Sequence, residues 1–213
     1  DPSFAERFLH EEWVGKRLNC AHLLPVLSPR PGRRTALYSV LAYQHGKNLS
    51  ARMQRKGNLS VRETLFHAGQ ILEAVGELHA QGVIHGDLRP KNILLDKKNK
   101  RLLLLSPGTA HSTSPGSNKK ISTASEGNCS YLAPELFAGK PASTASDIYA
   151  VGAMLYRFLS GKYPYGKVEP NRRDWGEFIS PTRYRADIPP WLIAVLQKAC
   201  ALDPAERYSS AAD

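Results

Sequence analysis

Apolar residues recur at helical spacing in several stretches of the chain. The longest series begins after a capping box, in which Ser60 is followed by Glu63, and runs as far as Gly82. Two later helices are predicted over TASDIYAVGAMLYRFLSG, which ends at Gly161, and over PPWLIAVLQKACAL, which starts with proline. A first helix is predicted within FAERFLHEEWVGKRLN. Its apolar face is Phe4, Phe8, Leu9, Val14 and Leu18, and that of the long helix is Val61, Leu65, Ala68, Ile71, Leu72, Val75 and Leu78.

Short apolar runs bounded by turn residues predict strands. HLLPVL and TALYSVLAY are joined by the turn-rich SPRPGRR, and NILLD and RLLLL are joined by KKNK as a hairpin. No element is predicted for QHGKNLSARMQRKG. Residues 106–130 are rich in Ser, Thr, Gly and Asn, which indicates a long loop.

Composition narrows the class of protein. The chain has 213 residues, 42% of them hydrophobic and 23% charged, which suits a globular protein with one core or two small lobes. No apolar run reaches the roughly 18–20 residues of a membrane span. The net charge is +10, but the basic residues are scattered in pairs and no nucleic-acid-binding motif is present, so we expect no nucleic-acid partner. The cysteines Cys20, Cys129 and Cys200 lie far apart, which favours a reducing cytoplasm.

One loop concentrates side chains that are capable of chemistry. It reads HGDLRPKN over residues 85–92. Asp87 is a carboxylate that can accept a proton from a hydroxyl nucleophile, and Asn92 offers a carbonyl oxygen suited to Mg²⁺. Arg89 or Lys91 can contact a phosphate in transfer. This set indicates phosphoryl transfer, in which positioning and charge neutralisation supply most of the catalysis.

Four motifs in order make the chain similar to the eukaryotic-like, or Hanks-type, serine/threonine protein kinases. HGDLRPKN resembles their catalytic loop, and APE at 133–135 resembles the end of their activation segment. DIYAVG at 147–152 resembles the helix whose aspartate anchors that loop, and DPAERYSSAAD resembles the last helical element. HGDL…N alone is also similar to aminoglycoside- and choline-kinase-like phosphotransferases, but the later motifs favour the protein kinases. RFLHEEWVGKRLN, HGDLRPKNI and DIPPWLIAVLQKA resemble the kinase half of bacterial proteins that fuse a phosphatase domain to a kinase domain.

The resemblance implies an α+β, protein-kinase-like fold with a mainly helical C-terminal lobe and a truncated N-terminal lobe. We expect residues 1–43 to form the smaller lobe, from one helix and two strands, and residues 44–213 to form the larger one. LYSVLAY is then expected to lead into the hinge, with Leu41 at the gatekeeper position. The backbone groups expected to bind an adenine are those of Ala42, Tyr43 and Gln44.

The resemblance also implies structural roles. His85 and Asp147 are expected to hold the loop from beneath, and Glu135 and Arg207 are expected to form a buried ion pair. Glu11 occupies the position of the ion-pairing glutamate of the family's helix C. The Gly-rich phosphate loop and the lysine that would pair with Glu11 lie upstream in the family, and this chain has neither, so we interpret Glu11 as an exposed helix-face charge.

The sequence departs from the family where a metal ion should bind. Kinases carry Asp-Phe-Gly after the strand that follows the catalytic loop, whereas RLLLL here runs into Ser106, Pro107 and Gly108. Ser106 lies 14 positions after Asn92 (106 − 92), which is the spacing of that motif. Ser106 would therefore face the nucleotide as a neutral ligand. Since each ~1.4 kcal/mol is tenfold in rate, losing the anionic anchor of the metal should cost orders of magnitude. Gly86 also replaces the arginine that usually binds a phosphorylated activation segment.

Two interpretations of the loop remain open. Asp87 and Asn92 either brace the loop through hydrogen bonds or remain, with Arg89, a catalytic set in which Asn92 alone holds the metal. The first gives a catalytically impaired pseudokinase that serves as a regulatory or binding module. The second gives an active ATP-dependent serine/threonine kinase whose Gly-rich loop and lysine lie upstream. A further hypothesis, for the chain as a whole, is a small-molecule phosphotransferase.

The cofactors and partners depend on which interpretation holds. An active domain would use ATP and Mg²⁺, and an inactive one would need neither. The expected partner is a protein, as substrate or as binding partner, with a nucleotide as a further ligand. We expect a cytoplasmic domain that contacts a membrane only through regions outside this chain.

Overall fold

The computed structural model describes residues 9, 12–13, 15–18, 20–28, 36, 38–96, 101–105, 129–168 and 174–213. Residues 12–13 and 15–17 are helical, within the first predicted helix. The strands are β1 (Val26–Leu27), β2 (Val40–Leu41), β3 (Lys47–Asn48), β4 (Ile93–Asp96) and β5 (Arg101–Leu104). The helices are α1 (Leu49–Lys56), α2 (Val61–Ala80), α3 (Pro134–Phe137), α4 (Thr144–Ser160) and α5 (Pro190–Ala199).

Helix α4 lies at the centre of the core. It is buried along most of its length because apolar side chains occupy every face, and it packs against both α2 and α5. Tyr149 and Phe158 are among its wholly buried side chains. Gly152 allows α5 to approach closely, since a Cβ atom there would lie 2.8 Å from both Ala199 Cβ and Cys200 Sγ. The contact of α4 with α5 is therefore closely packed at Gly152.

Local sequence signals explain where the two longest helices begin and end. The Ser60 hydroxyl accepts a hydrogen bond from the Glu63 N–H, and the Glu63 carboxylate accepts one from the Ser60 N–H, so the predicted capping box is confirmed. Helix α4 has a similar reciprocal cap from Ser143 and ends at Gly161, whose φ of 70° is the left-handed conformation that favours glycine. The predicted helices α2, α4 and α5 are all present.

The strands form two small antiparallel sheets. In one, β4 lies between β3 and β5, and the predicted hairpin of β4 and β5 pairs Ile93 with Leu104. In the other, β1 pairs with β2, so that Val26 lies opposite Leu41. Leu23 forms a parallel bridge to Leu104, which ties the segment before β1 to the end of β5.

Several predictions are wrong in detail. The strand runs before and after SPRPGRR are paired over two residues each, and α1 and β3 form where no element is predicted. Leu9 and Leu65, which are predicted to face the core, are 47% and 37% exposed. Phe4, Phe8 and Val14 lie outside the described residues. Among the helices that the structure describes, none is both long and apolar enough to cross a bilayer.

Candidate active site

The loop HGDLRPKN connects the end of α2 to strand β4. Gly82, with φ of 71°, redirects the chain after α2, and the segment then has no regular secondary structure until a 3-10 turn over Pro90–Asn92. The turn starts with proline because its fixed φ suits the first helical position and its missing N–H needs no partner there. Asn92 N–H donates to Arg89 O at 2.9 Å, which closes the turn just before β4.

Asp147, in the first turn of α4, holds the start of this loop. Its side chain is buried, and its Oδ2 accepts from the His85 N–H at 2.8 Å while Oδ1 accepts from the Gly86 N–H at 2.9 Å. His79 Nε2 lies 2.9 Å from the same Oδ2. These hydrogen bonds join helix α4, the end of α2 and the loop.

His85 holds the loop to the residue that follows β5. Its Nδ1 accepts a hydrogen bond from the Asp87 N–H at 3.2 Å, so the proton is carried by Nε2, which donates to Leu105 O at 2.9 Å. The ring is buried, and its neighbours fix one neutral tautomer. His85 and Asp147 are therefore both buried and both hydrogen-bonded to backbone groups of the loop or of the residue after β5.

Asp87, Arg89 and Asn92 come together at the outer side of the loop. Asn92 Nδ2 donates to Asp87 Oδ2 and to Asp87 O, both at 2.9 Å, and Arg89 Nη2 lies 2.9 Å from the same Oδ2. The Asp87 side chain is 27% exposed. Its Oδ1 has no hydrogen-bond partner among the described residues.

The residues present fit a Mg²⁺ ion only in part. The two hydrogen bonds from Nδ2 orient the Asn92 amide and leave Oδ1 as its remaining ligand atom. Mg²⁺ is usually held by one or two carboxylates together with the phosphates of a substrate, and among the described residues Asp87 is the carboxylate that contacts Asn92. Ser106, which the sequence has where the resemblance leads us to expect a second carboxylate, lies outside the described residues.

The chain leading to Ser106 is fixed against the loop. Leu105 N–H donates to Asn92 O at 2.9 Å, and Leu105 O accepts from His85 Nε2. The antiparallel pairing of β4 with β5 brings these residues together, because Ile93 lies opposite Leu104. Backbone hydrogen bonds therefore place Leu105, the residue after β5, beside Asn92.

The predicted hinge residues begin at Leu41, the last residue of β2, and continue directly after it. Leu41 and Gln44 are half-buried, while Tyr43 is 83% exposed and packs its ring edge-on to His45. Ala42 N–H donates to Pro25 O at 3.0 Å, so this donor is already used within the small sheet. The backbone donors that remain for an adenine in this stretch are those of Tyr43 and Gln44. Glu11 lies outside the described residues.

Glu135 and Arg207 form a buried, bidentate ion pair. Nη1 and Nη2 of Arg207 each lie 2.7 Å from one oxygen of Glu135, and the two residues are 5% and 8% exposed. The other guanidinium donors reach backbone oxygens, so that all five N–H groups are used. Those oxygens belong to Ala145, Ala201 and Leu202.

The cysteines offer no activated thiol. Burial raises the pKa of the Cys20, Cys129 and Cys200 thiols, most strongly at the wholly buried Cys200. Raised thiol pKa values favour the protonated, unreactive form. Burial likewise raises the pKa of Tyr165 to about 12, so this phenol stays neutral and donates to Cys200 O.

Sequence reasoning missed His79 and Gln70, two polar residues on α2. His79 reaches Asp147, and Gln70 Oε1 accepts from the Leu102 N–H at 2.6 Å. The sequence signal for His79 is a polar residue directly after an apolar position of the helix, Leu78, which is buried in the structure. That signal does not identify the partner, because Asp147 is 68 residues away in the chain.

Comparison with known proteins agrees with this geometry. Residues 4–212 match the protein kinase domain family. The serine/threonine-protein kinase PknB of Mycolicibacterium smegmatis is 29% identical over all of this chain and 35% of its own length. PknH of Mycobacterium bovis is 30% identical over all of this chain and 36% of its own length. The chain thus spans about a third of the length of these curated relatives.

Solved structures give the same result for the fold. The crystal structure of the Mycobacterium tuberculosis PknI kinase domain is 27% identical, with a TM-score of 0.75, and covers 99% of this chain and 76% of that one. The predicted α+β kinase fold is therefore confirmed. The chain belongs to the protein kinase domain family, as a serine/threonine protein kinase domain.

Proposed function

We propose that this kinase domain transfers phosphate poorly and acts as a pseudokinase, a regulatory or binding module for a protein partner. The observation behind the proposal is Ser106-Pro107-Gly108 at the position of the metal-binding Asp-Phe-Gly. Leu105 is hydrogen-bonded to both His85 and Asn92, which supports the register of that assignment. We also propose that the smaller lobe ends near residue 43.

The charge at the site argues for weak transfer. A metal ion neutralises the phosphates during transfer, and that effect is worth several kcal/mol, or orders of magnitude in rate. Serine supplies a neutral oxygen where the family supplies a carboxylate. Asn92 is neutral as well, and Asp87 Oδ2 is already shared between Asn92 and Arg89. The remaining ligands should hold Mg²⁺ weakly.

A second candidate is an active ATP-dependent serine/threonine kinase in which Asn92 alone holds the metal. The observation that favours it is the preserved outer side of the loop, where Asp87 is partly exposed and Arg89 lies beside it. A carboxylate with a free oxygen is suited to accept the proton of a substrate hydroxyl. This candidate predicts Mg²⁺-dependent transfer that disappears when Asp87 is neutralised.

The test uses labelled ATP and a generic protein acceptor with the full-length natural protein. We expect the natural sequence and Asp87→Asn to give the same background. Ser106→Asp restores the missing carboxylate and should raise transfer at least about tenfold, whereas Ser106→Asn, of matched size and no charge, should not. Robust transfer by the natural sequence that Asp87→Asn abolishes would overturn the proposal in favour of the second candidate.

A thermal-shift titration separates the forms of the pseudokinase. A ligand that binds only the folded state stabilises it by RT ln(1 + [L]/Kd), so even weak ATP binding shifts the melting temperature at millimolar ATP. A shift that is the same with and without Mg²⁺ supports a metal-independent nucleotide-binding module. No shift supports a module that binds protein alone, and a shift that grows with Mg²⁺ supports the active kinase.

A further inference from the structure

We propose that one end of the fold is a docking surface for an acidic segment of a protein partner. Helices α1, α2 and α4 each bring one terminus to this end, together with the 3-10 turn over Pro181–Arg183. We call this surface the basic end, because each of these segments carries an exposed cation there. The cations are Arg55, Lys56, Arg62, Lys162 and Arg183. The proposal rests on the proposed role as a module for a protein partner and names the surface that would bind it.

Contacts of the turn between α1 and α2 bring the end of α4 to this surface. The Leu59 N–H donates to Phe158 O, in the last turn of α4, at 2.8 Å. A Cβ atom at Gly161 would lie 2.7 Å from Asn58 Oδ1, so Gly161 lies directly against the same turn. Lys162 follows Gly161 in the chain. The cations at the ends of α1, α2 and α4 therefore belong to one surface.

A hydrogen bond joins the 3-10 turn to the same place. Arg185 lies two residues after Arg183, and its Nη1 donates to Leu59 O at 2.5 Å. This contact spans 126 residues of the chain, so it is a product of the tertiary fold. Arg183 is thereby placed close to the start of α2.

The carboxylates that these contacts bring to the basic end are already used within the protein. Glu63 Oε1 lies 3.2 Å from Arg52 Nη2, and Glu63 Oε2 accepts from the Ser60 N–H and hydroxyl. Asp187 accepts from Arg185 through both of its oxygens. No ion pair joins the five cations of the basic end to another residue that the structure describes. Their positive charge is therefore available to an outside partner.

Exposed aromatic side chains lie beside the cations. Phe66 is 54% exposed and follows Arg62 by four residues, which puts both on the same face of α2. Tyr184 is 41% exposed and directly follows Arg183. Aromatic residues and arginine are enriched at protein–protein interfaces and supply much of their binding energy. The basic end thus offers a partner both charge and apolar area.

The charge of this surface selects the chemistry of the partner. Complementary charge steers association and disfavours partners of like charge, so the basic end suits a segment rich in Asp and Glu. The cations come from four separate segments of the chain, and a flexible acidic segment can adapt to contact them together. The competing class of partner is an anionic bilayer, which the experiment below includes.

The basic end is remote from the catalytic loop. The loop follows the last turn of α2 and is held by Asp147 in the first turn of α4, whereas the basic end lies at the opposite termini of both helices. Because α2 has 20 residues, its length separates the two sites by about 30 Å. A partner bound at the basic end therefore leaves the loop uncovered.

The test measures how the full-length protein binds a fluorescein-labelled peptide of glutamates around one central tryptophan, by fluorescence anisotropy at low ionic strength. The test variant combines Arg55→Gln with Arg62→Gln. The control combines Lys47→Gln with Lys140→Gln, which removes the same charge at exposed positions elsewhere. We expect Kd to rise about tenfold in the test variant and less than about twofold in the control, since an exposed ion pair contributes up to about fivefold.

Two further measurements check that charge and fold behave as expected. Raising the salt concentration should weaken binding, because exposed charges are screened, and a peptide with glutamine in place of glutamate should not bind. The melting temperatures of both double variants should stay close to that of the natural sequence, because all four side chains are exposed.

Three results would overturn the proposal. Equal changes of Kd in the two double variants would show that the net charge of the protein, rather than the basic end, attracts the peptide. Failure of the natural sequence to bind the glutamate peptide would exclude an acidic segment as the partner. Binding to vesicles of phosphatidylcholine and phosphatidylserine that is lost in the test variant alone, without binding of the peptide, would assign the surface to a membrane. Binding is measured without ATP, so failure here is distinct from failure of the test of phosphate transfer.

Discussion

The contact of Glu135 with Arg207 and the outer side of the catalytic loop both pair a carboxylate with an arginine, yet they use their atoms differently. At the first contact both side chains are buried and all five guanidinium N–H groups have acceptors. In the loop, Asp87 is 27% exposed and keeps one oxygen without a protein partner among the described residues, and the Arg89 Nε is likewise unpaired.

The difference separates stabilising groups from groups that are available to a ligand. A buried ion pair whose donors all have acceptors cannot also bind another molecule, and removing either partner leaves a buried charge. A partly exposed carboxylate contributes little to stability because water screens it, but it can still bind or accept a proton. A carboxylate and an arginine therefore stabilise the fold in the Glu135–Arg207 pair, whereas in the loop the same residue types leave one carboxylate oxygen without a protein partner among the described residues.

The largest expected effect comes from Arg207→Leu, which leaves the Glu135 carboxylate buried and unpaired. We expect the free energy of unfolding to fall by about 3–5 kcal/mol, measured by urea denaturation. Arg183→Leu, at an exposed position in a 3-10 turn, is the control and should change it by less than about 0.5 kcal/mol. Similar losses of unfolding free energy in both variants would show that the buried pair contributes no more to stability than an exposed arginine.

A smaller effect is expected at the close contact of α4 with α5, which adjoins the same saturated region. Gly152→Ala places a methyl group 2.8 Å from Ala199 Cβ and Cys200 Sγ, and the overpacking should cost about 1–3 kcal/mol of unfolding free energy. Gly69→Ala in α2 is the matched control, because no atom lies within 4 Å of its added Cβ and the helix should gain about 0.5–1 kcal/mol. Calorimetry measures both changes in unfolding free energy. Changes of opposite sign in the two variants would support this packing, and changes of the same sign would contradict it.

The smallest effect on stability is expected at Asp87. Asp87→Asn keeps the shape of the side chain and removes a partly exposed charge, so the free energy of unfolding should change by less than about 1 kcal/mol. Urea denaturation beside Arg207→Leu gives the direct comparison. A loss as large as that of Arg207→Leu would mean that Asp87 is a structural group and that the contrast between the two regions does not hold.

The parts of the fold that were predicted correctly depend on short-range signals. The Ser60–Glu63 cap, the Gly161 stop and the hairpin of β4 and β5 each follow from residues close together in the chain. The strand pair before the hinge was predicted too long because apolar runs do not show how many residues will find a partner. Helix α1 was missed because its sequence, LSARMQRK, is only 8 residues long and mostly polar, with Leu49 as its buried residue.

The sequence indicates the family, the order of the motifs and a serine at the position where the resemblance expects aspartate, because these follow from residue type and spacing. Which distant side chains meet depends on the tertiary structure. His79 reaches Asp147 across 68 residues, a contact that the sequence does not indicate, whereas the contact of Arg207 with Glu135 across 72 residues is expected from the resemblance to the kinases. The tertiary structure also determines that the Ala42 N–H donates to Pro25 O. Such contacts depend on how helices and strands pack. The residues around a side chain in the sequence do not identify a partner that lies far away in the chain.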